Sequence, residues 1–231
     1  MIRIKLADIS IEVDNKYTFM EALCRDYMTE EAPLFSVSVT DGEIERERAT
    51  PAETPEYLES IALYRKIAER LPEYDAFVFH AATLNFSGEA VAFTAKSGVG
   101  KTTHTKLWIE TFGRDKVHYL NGDKPIVRFI DGIPHVFGTP YRGKEGYGRC
   151  ESAPLRAITF VERGKTNTTE EIQADDAAMR LAGQVYMPKN PVSCIKTLRL
   201  IDRLASSVKL VLLKCTPEPE AAEVAYRAVF N

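Results

Sequence analysis

The sequence predicts an α/β fold in which mixed, largely antiparallel sheets surround a helix that follows a glycine-rich loop. Three observations favour this fold. Strand patterns alternate with helical patterns along the chain, a glycine-rich segment lies between a strand and a helix, and the loop joining residues 77–84 to 90–95 is so short that these two strands can only be antiparallel. Because the chain has neither a repeat nor a long linker, we expect one compact unit, with an N-terminal strand and helix region (1–75) packed on a core (76–231).

The N-terminal region begins with a strand pattern. Residues 2–13 alternate apolar and polar side chains with the period of a half-buried strand, and a short helix is expected over 18–28. Asp41-Gly42 is a strong two-residue turn signal, which predicts a hairpin between strands at 36–40 and 43–48.

Start and stop signals bound the helices. Thr54-Pro55 supplies an N-cap and a proline at the first helical position, and Pro72 ends the apolar stripe that follows. Gly113 ends the helix that follows the glycine-rich loop. Asn190-Pro191 supplies a cap and a first-position proline for a helix at 191–206. The remaining expected elements are strands at 117–120, 126–130, 133–137, 157–162 and 208–214, and helices at 175–187 and 217–229.

Composition and residue spacing exclude several classes of protein. The 30 Lys and Arg against 33 Asp and Glu give a formal charge of −3, which lacks the basic surface of a general nucleic-acid binder. No apolar run approaches the roughly 18 residues of a membrane span, and the N-terminus has no signal-peptide pattern, so we expect a cytoplasmic protein without membrane partners. The four cysteines form no CxxC pair and the four histidines no HxxxH pair, so any metal ion should be held by oxygen ligands.

Residues 95–102 (AKSGVGKT) match the P-loop pattern GxxxxGK[ST] except at the first position, where alanine replaces glycine. The glycines let successive backbone N–H groups point inward, and the helix that follows presents its positive end to a phosphate. In this pattern Lys101 bridges the β- and γ-phosphates and the Thr102 hydroxyl ligates Mg²⁺. The expected nucleotide-binding residues are Ser97, Gly98, Val99, Gly100, Lys101, Thr102 and Thr103. Of these, Thr103 is expected to support the residues that contact the nucleotide and not to contact it directly. The alternative is a glycine-rich turn that binds nothing.

Three further segments, together with the P-loop, resemble the HPr kinase/phosphorylase family. They are His80-Ala81-Ala82 before the antiparallel strand pair, residues 120–125 (LNGDKP) and residues 138–146 (GTPYRGKEG). The chain is most similar to the shorter HPr-kinase-like proteins, and we expect no separate N-terminal domain. The resemblance covers about residues 76–165. It implies that the core (76–231) is a P-loop kinase core related to the nucleotide-binding part of phosphoenolpyruvate carboxykinase.

The resemblance also implies catalytic roles for Asp123 and His80 beside Lys101. The family places two adjacent acids after the P-loop helix, which hold Mg²⁺ and take the proton of the acceptor hydroxyl. Here the pair is Gly122-Asp123, so one carboxylate serves both purposes, and Thr102 and Asp123 are the expected metal ligands. His80 matches a family histidine near the phosphate, as a hydrogen-bond donor or proton relay. The alternatives are a solvated turn aspartate and a histidine with a structural role.

Residues 138–150 carry four glycines between charged side chains. Such a loop is able to close over reacting phosphates, with arginine as a bidentate donor and glycines as hinges. Arg142, Lys144 and Glu145 are therefore candidate nucleotide-binding residues, and the alternative is an ordinary flexible surface loop. His104 is expected on the solvent face of the helix after the P-loop.

These features predict a kinase that transfers the γ-phosphoryl group of ATP to a hydroxyl, with ATP and Mg²⁺ as cofactors. The expected acceptor is a Ser or Thr of a small protein or peptide, or a small-molecule alcohol, and region 1–75 is expected to shape its site. One alternative is a nucleotide-binding regulatory protein with impaired catalysis, which Gly122 favours. Another is a decarboxylating carboxykinase-like enzyme, for which the chain is short. The resemblance also implies a homo-oligomer.

Overall fold

The structure is a computed structural model that describes residues 1–96 and 98–231. It has a mixed α/β fold, as the sequence predicts, with mixed sheets. The described strands are β1 (Ile2–Leu6), β2 (Ile9–Asp14), β3 (Phe35–Ser38), β4 (Ala76–Val78), β5 (Ala82–Phe86), β6 (Glu89–Thr94), β7 (Val117–Asn121), β8 (Ile126–Ile130), β9 (Ile133–Phe137), β10 (Ser152–Arg163), β11 (Thr168–Glu171) and β12 (Lys209–Cys215). The described helices are α1 (Phe19–Leu23), α2 (Asp41–Glu45), α3 (Pro55–Arg70), α4 (Lys101–Phe112), α5 (Ala174–Ala182), α6 (Pro191–Ala205) and α7 (Glu220–Phe230). Within the described residues, none of the helices has the length and apolar character needed to cross a membrane.

The N-terminal sheet contains β1, β2 and β3, with β1 antiparallel and β3 parallel to β2. The single strand predicted over 2–13 is wrong, because the chain reverses at Ala7 and Asp8. These residues have φ angles of 50° and 58° and form a two-residue turn that brings Ile2 opposite Val13. Ala-Asp is not a strong hairpin signal, so the alternating pattern hides the reversal.

The hairpin predicted around Asp41-Gly42 is also wrong, since these residues begin helix α2. The Thr40 side chain accepts a hydrogen bond from the Glu43 backbone N–H, and the Glu43 side chain accepts one from the Thr40 backbone N–H. This reciprocal arrangement is a capping box, which satisfies two N–H groups at the helix start. The Thr-x-x-Glu spacing therefore determines the local structure here, and the turn signal does not.

The large sheet has the strand order β4-β8-β9-β10-β6-β5-β7, with β12 beside β10 and β11 beside β12. The predicted antiparallel pair is confirmed as β5 and β6. The predicted strand 77–84 is wrong as one element, because it divides at His80 and Ala81 into β4, which pairs with β8, and β5, which pairs with β6 and β7. The polar strand β11 was not predicted, because its residues Thr168–Glu171 are exposed and carry no apolar alternation.

Helices cover both faces of this sheet. Successive side chains of a strand point to opposite faces, and along β6 Ala90 and Ala92 pack in one apolar cluster while Val91 and Phe93 pack in another. The first cluster includes residues of α5 and α6, and the second includes residues of α4 and α7. Strand β6, which leads to the glycine-rich segment, is thus buried on both sides.

The N-terminal region packs on the β4 and β8 edge of the large sheet. Leu58, Leu63 and Ile67 of α3 are fully buried in one cluster with Ala76 and Ile126. This contact places α1 and α3 beside the end of the large sheet where the candidate site lies.

Several helix boundaries match the prediction and others differ. α4 ends at Gly113 and α6 is capped by the Asn190 side chain, as expected. α5 ends before Gly183 rather than at 187, and α7 begins after Pro219 rather than at 217.

The expectation that His104 lies on the helix surface is wrong. Its side chain is buried against the sheet and accepts a hydrogen bond from Trp108 Nε1 at 3.0 Å. Burial lowers the pKa of His104 to about 4, so this histidine is a neutral structural residue at neutral pH.

Candidate functional site

The topology of the large sheet brings four chain segments to one edge. β5 is antiparallel to both β6 and β7, so β6 and β7 run in the same direction and their carboxyl ends lie together. β10 is parallel to β6 and ends at this edge too. His80 comes just before β5, Asp123 just after β7, and the glycine segment (Gly98–Gly100) after β6. Carboxyl ends of parallel strands are common ligand sites in α/β proteins.

A cavity of about 880 Å³ opens at this edge. It is lined by residues of the glycine segment and α4, by residues that follow β7, by residues 140–147, and by residues of α1 and α3. The lining residues are Phe19, Leu23, Tyr57, Ser60, Ile61, His80, Gly98, Gly100, Lys101, Thr102, Thr103, Tyr119, Gly122, Asp123, Lys124, Pro140, Tyr141, Arg142, Gly143, Lys144, Glu145 and Tyr147. The cavity thus contains every residue predicted for the site except Val99, which is not part of the lining, and Ser97, which lies outside the described residues.

The glycine segment turns the chain from β6 into α4 through two left-handed conformations. Gly98 has a φ of +78° and Gly100 a φ of +125°, values that strain any residue with a side chain. Gly100 is also the N-cap of α4 and supplies no side-chain capping bond. The positive end of a twelve-residue helix therefore faces the cavity, an arrangement that favours anions.

Lys101, His80 and Asp123 meet in the cavity. Lys101 Nζ donates to the backbone oxygen of Ala95 at 2.9 Å and lies 3.5 Å from His80 Nε2. His80 Nε2 also lies 3.5 Å from Asp123 Oδ1, and Lys124 Nζ lies 3.2 Å from Asp123 Oδ2. A lysine, a histidine and a carboxylate predicted from separate motifs are therefore within reach of one small ligand.

The electrostatics of this group differ from those of free side chains. Burial lowers the pKa of Lys101 below its ordinary value, and the nearby Asp123 charge offsets part of that effect. Burial acts to raise the pKa of Asp123, but the hydrogen bond with His80 and the charge and hydrogen bond of Lys124 outweigh it and bring the pKa to about 2. Asp123 is thus ionised throughout the neutral range.

Gln184 holds the His80 ring and was not predicted from the sequence. His80 Nδ1 lies 3.1 Å from Gln184 Oε1, and the His80 backbone N–H donates to the Gln184 backbone oxygen at 2.7 Å. Since an amide oxygen only accepts, this contact places a proton on Nδ1, while Nε2 faces Lys101 and Asp123. Nε2 donates to the Asp123 carboxylate only when the ring carries a proton on both nitrogens. The two residues are 104 positions apart, and no local pattern links them.

Asn121 shapes the turn that carries Asp123. Its fully buried side-chain oxygen accepts the backbone N–H groups of Asp123 and Lys124, both at 2.8 Å. Its amide nitrogen donates to the backbone and side-chain oxygens of Thr139 at 3.1 and 3.0 Å. All four bonds of one amide therefore fix the carboxylate relative to the neighbouring loop.

The loop formed by residues 140–147 covers Gly122 and Asp123. The Gly122 N–H donates to the Tyr147 oxygen at 2.8 Å, and a Cβ atom at Gly122 would lie 3.0 Å from the Arg142 oxygen and 3.2 Å from the Tyr147 oxygen. A Cβ at Gly143, where φ is +73°, would lie 2.9 Å from the Asp123 Cβ. The loop therefore packs closely against Gly122 and leaves little space for a side chain there.

The predicted charged residues of the same loop form contacts with other parts of the chain. Arg142 Nη2 lies 3.5 Å from Asp26, and Glu145 lies 3.6 Å from Lys106 Nζ. Lys144 lines the cavity. These weak, partly exposed pairs hold the loop near the site without fixing it strongly.

Helices α1 and α3 contribute largely apolar side chains to the cavity lining. Phe19, Leu23, Tyr57 and Ile61 of α1 and α3 line the cavity, and the Phe19 and Tyr57 side chains are more than one third exposed. The sequence indicated that the N-terminal region contributes to the site but did not identify these residues.

The described residues contain no cluster of three or more His, Cys, Asp or Glu side chains able to hold a metal ion. Asp123 and the Thr102 hydroxyl are the predicted oxygen ligands in the cavity. Such a sparse set suits Mg²⁺ that keeps several waters and binds substrate phosphates, and it does not suit an all-protein metal cage.

Comparisons with known proteins give distant similarity to solved structures alone. The chain matches no protein-family model, and a search of curated proteins returns no match. Among solved structures, it is similar to the HPr(Ser) kinase/phosphatase from Coxiella burnetii with a TM-score of 0.37 and 9% sequence identity, over 65% of this chain and 94% of that one. This similarity concerns the fold only and is remote, so the function proposed below rests on the residues of the cavity.

Proposed function

We propose that this protein is a kinase that transfers the γ-phosphoryl group of Mg·ATP to a hydroxyl group, with the glycine segment as its P-loop. The observation that carries the proposal is the meeting of Lys101, His80 and Asp123 in one cavity at the start of α4. The acceptor is a Ser or Thr of a small protein or peptide, or a small-molecule alcohol.

On the donor side, the chain offers positive charge and backbone N–H groups to the phosphates. The N-terminus of α4 and Lys101 provide them in the interior of the cavity. Phosphate binding would replace the bond from Lys101 Nζ to the Ala95 oxygen and favour the charged form of Lys101, which burial disfavours. Arg142 and Lys144 line the same cavity and are able to compensate charge on the phosphate oxygens.

On the acceptor side, Asp123 orients the hydroxyl and receives its proton. A pKa of about 2 makes Asp123 a poor base toward a free alcohol. The hydroxyl becomes acidic only as its oxygen bonds to phosphorus, so the proton leaves late in the step. Before that point Asp123 acts by holding the acceptor oxygen in line with the γ-phosphorus and its leaving oxygen, and by attracting the metal bound to the nucleotide.

The residues present fit a magnesium ion brought in with the nucleotide. Mg²⁺ supplies charge compensation on the transferred phosphoryl group when it is bound. The Thr102 hydroxyl and the Asp123 carboxylate would hold it together with phosphate oxygens and water.

A second candidate is a nucleotide-binding regulatory protein that does not turn over. The loop packed on Gly122 and Asp123 favours it, because that loop takes the space of a second acid. The two proposals share the nucleotide site and differ only in phosphoryl transfer.

The test is transfer of labelled γ-phosphate from ATP, with Mg²⁺, to a panel of hydroxyl compounds and Ser/Thr peptides. We expect labelled product from the wild type and a loss of at least about 100-fold with Asp123→Asn. Asp131→Asn is the matched control, because Asp131 lies in the exposed β8–β9 turn. Nucleotide binding without transfer to any acceptor would favour the regulatory protein, and transfer that survives Asp123→Asn would contradict the proposed role of this residue.

A further inference from the structure

Arg163, the last residue of β10, reaches the glycine segment from outside the cavity. β10 runs parallel to β6, with Phe160 beside Thr94, so the end of β10 lies next to the chain that leaves β6. Arg163 Nη2 donates to the Gly98 oxygen at 2.8 Å, and Nε donates to the Val99 oxygen at 3.3 Å. The partners are 64 and 65 residues away in the sequence.

These two bonds determine which way the peptide groups of the segment face. In a planar trans peptide the C=O and the following N–H point in opposite directions, and the described chain has no cis peptide. With the Gly98 and Val99 oxygens turned toward Arg163, the N–H groups of Val99 and Gly100 point to the opposite side. The Val99 N–H makes a long bond of 3.4 Å to the Lys96 oxygen, which closes the turn.

The glycine segment needs the two Arg163 bonds because its own residues do not fix its backbone conformation. Two of its residues are glycines at φ angles of +78° and +125°, and glycine populates many backbone conformations. Gly100 adds no capping side chain to the start of α4. A charged fork bonded to two adjacent carbonyls restricts these conformations, and the backbone of Arg163 is itself held by pairing with Cys215 of β12.

We propose that Arg163 is a positioning residue, which holds the glycine segment in the phosphate-binding conformation before the nucleotide arrives. The proposal rests on the proposed function, since it assumes that this segment binds phosphates. Arg163 acts through the backbone and is absent from the lining of the cavity.

The experiment compares Arg163→Gln and Arg163→Lys with the wild type. Arg156→Gln is the matched control, because Arg156 lies on the same strand and contacts Glu89 and the Val229 oxygen away from the cavity. The dissociation constants of Mg·ATP and of Mg·pyrophosphate are measured by calorimetry. Amide hydrogen exchange of peptides covering residues 94–104 is measured without nucleotide.

We expect Arg163→Gln to weaken the binding of both ligands about tenfold and to speed exchange in the nucleotide-free segment. Arg163→Lys should give a smaller effect, because its ammonium keeps the charge and can bond one carbonyl, although it cannot reproduce the two-pronged contact. The Arg156→Gln control should leave affinity and exchange unchanged.

The possible failures are distinguishable. If the wild type binds neither ligand, the proposed function fails, while faster exchange in Arg163→Gln would still support the anchoring role. Unchanged exchange and affinity in Arg163→Gln would overturn the inference. Lower affinity with unchanged exchange would also overturn it, because Arg163 would then contact the phosphates directly.

Discussion

An aspartate at position 122 tests the structural reason for the missing acid. Gly122→Asp recreates the acidic pair of the resembled family, and Gly122→Ala isolates the steric part of the change. The Cβ of either variant would meet the Arg142 and Tyr147 oxygens at 3.0 and 3.2 Å, closer than ordinary contact. The loop formed by residues 140–147 must therefore move by a few tenths of an ångström to admit it.

For alanine, the change in the free energy of unfolding is the balance of two opposing effects. Aspartate adds one further effect. Alanine reduces the freedom of the unfolded chain by about 0.4–1 kcal/mol, which offsets part of the crowding, so its net cost should stay within about 1 kcal/mol. Aspartate also brings a negative charge next to these two carbonyl oxygens and next to the ionised Asp123. We expect this repulsion to lower the free energy of unfolding by about 2 kcal/mol more.

The assay is urea unfolding followed by the fluorescence of Trp108, the single tryptophan, which is fully buried. Gly42→Asp is the control, because Gly42 has open space around its Cβ position and lies in the first turn of α2, where an acid is favourable. We expect no gain in phosphoryl transfer from Gly122→Asp. If that variant were as stable as Gly122→Ala and more active than the wild type, the loop would not exclude an acid and our reasoning would be refuted.

Three further predictions concern the residues around the cavity. The pKa of Asp123 falls from 3.8 to about 2 on folding, so its ionised form stabilises the protein above pH 4, and this contribution is lost as the pH falls. Between pH 6 and pH 3 the free energy of unfolding of the wild type, measured with urea, should drop by about 1 kcal/mol more than that of Asp123→Asn, and equal drops would contradict the assigned pKa. Asn121→Ala leaves two N–H groups near the cavity without their acceptor and should cost about 2–4 kcal/mol in the same assay, whereas a cost below 1 kcal/mol would show that the turn is held by other contacts. Gln184→Met removes the acceptor at His80 Nδ1, so nitrogen NMR should find one neutral tautomer of His80 in the wild type and a mixture in the variant; a mixture in both would show that Gln184 does not set the tautomer.

Local signals predicted the elements that carry the glycine segment. A strand pattern identifies β6, two glycines identify the turn, and Gly113 identifies the end of α4, because each signal lies within a few residues of the structure it determines. The Asn190-Pro191 signal predicted the start of α6 for the same reason. Two local signals compete at Thr40 to Glu43: the Asp41-Gly42 turn signal predicts a hairpin, but the capping box determines the structure.

Contacts between distant segments were beyond sequence reasoning. Gln184 and Arg163 act on residues 104 and 64–65 positions away, and neither belongs to a motif. The same holds for Gly122, whose meaning depends on a loop that returns about twenty residues later. His104 was misplaced because helical periodicity alone did not identify which face of α4 packs on the sheet.

The most direct measurement is thermal unfolding with Mg·ATP, for the wild type, Lys101→Ala and the control Lys116→Ala, whose lysine is exposed outside the cavity. Nucleotide at about 100 times its dissociation constant should stabilise the wild type by about 2.7 kcal/mol, or about 5–10 °C for a protein of this size. We expect this shift to vanish in Lys101→Ala and to persist in Lys116→Ala. No shift in the folded wild type with ATP, GTP or pyrophosphate, or a full shift in Lys101→Ala, would contradict the assignment of this cavity as a nucleotide site.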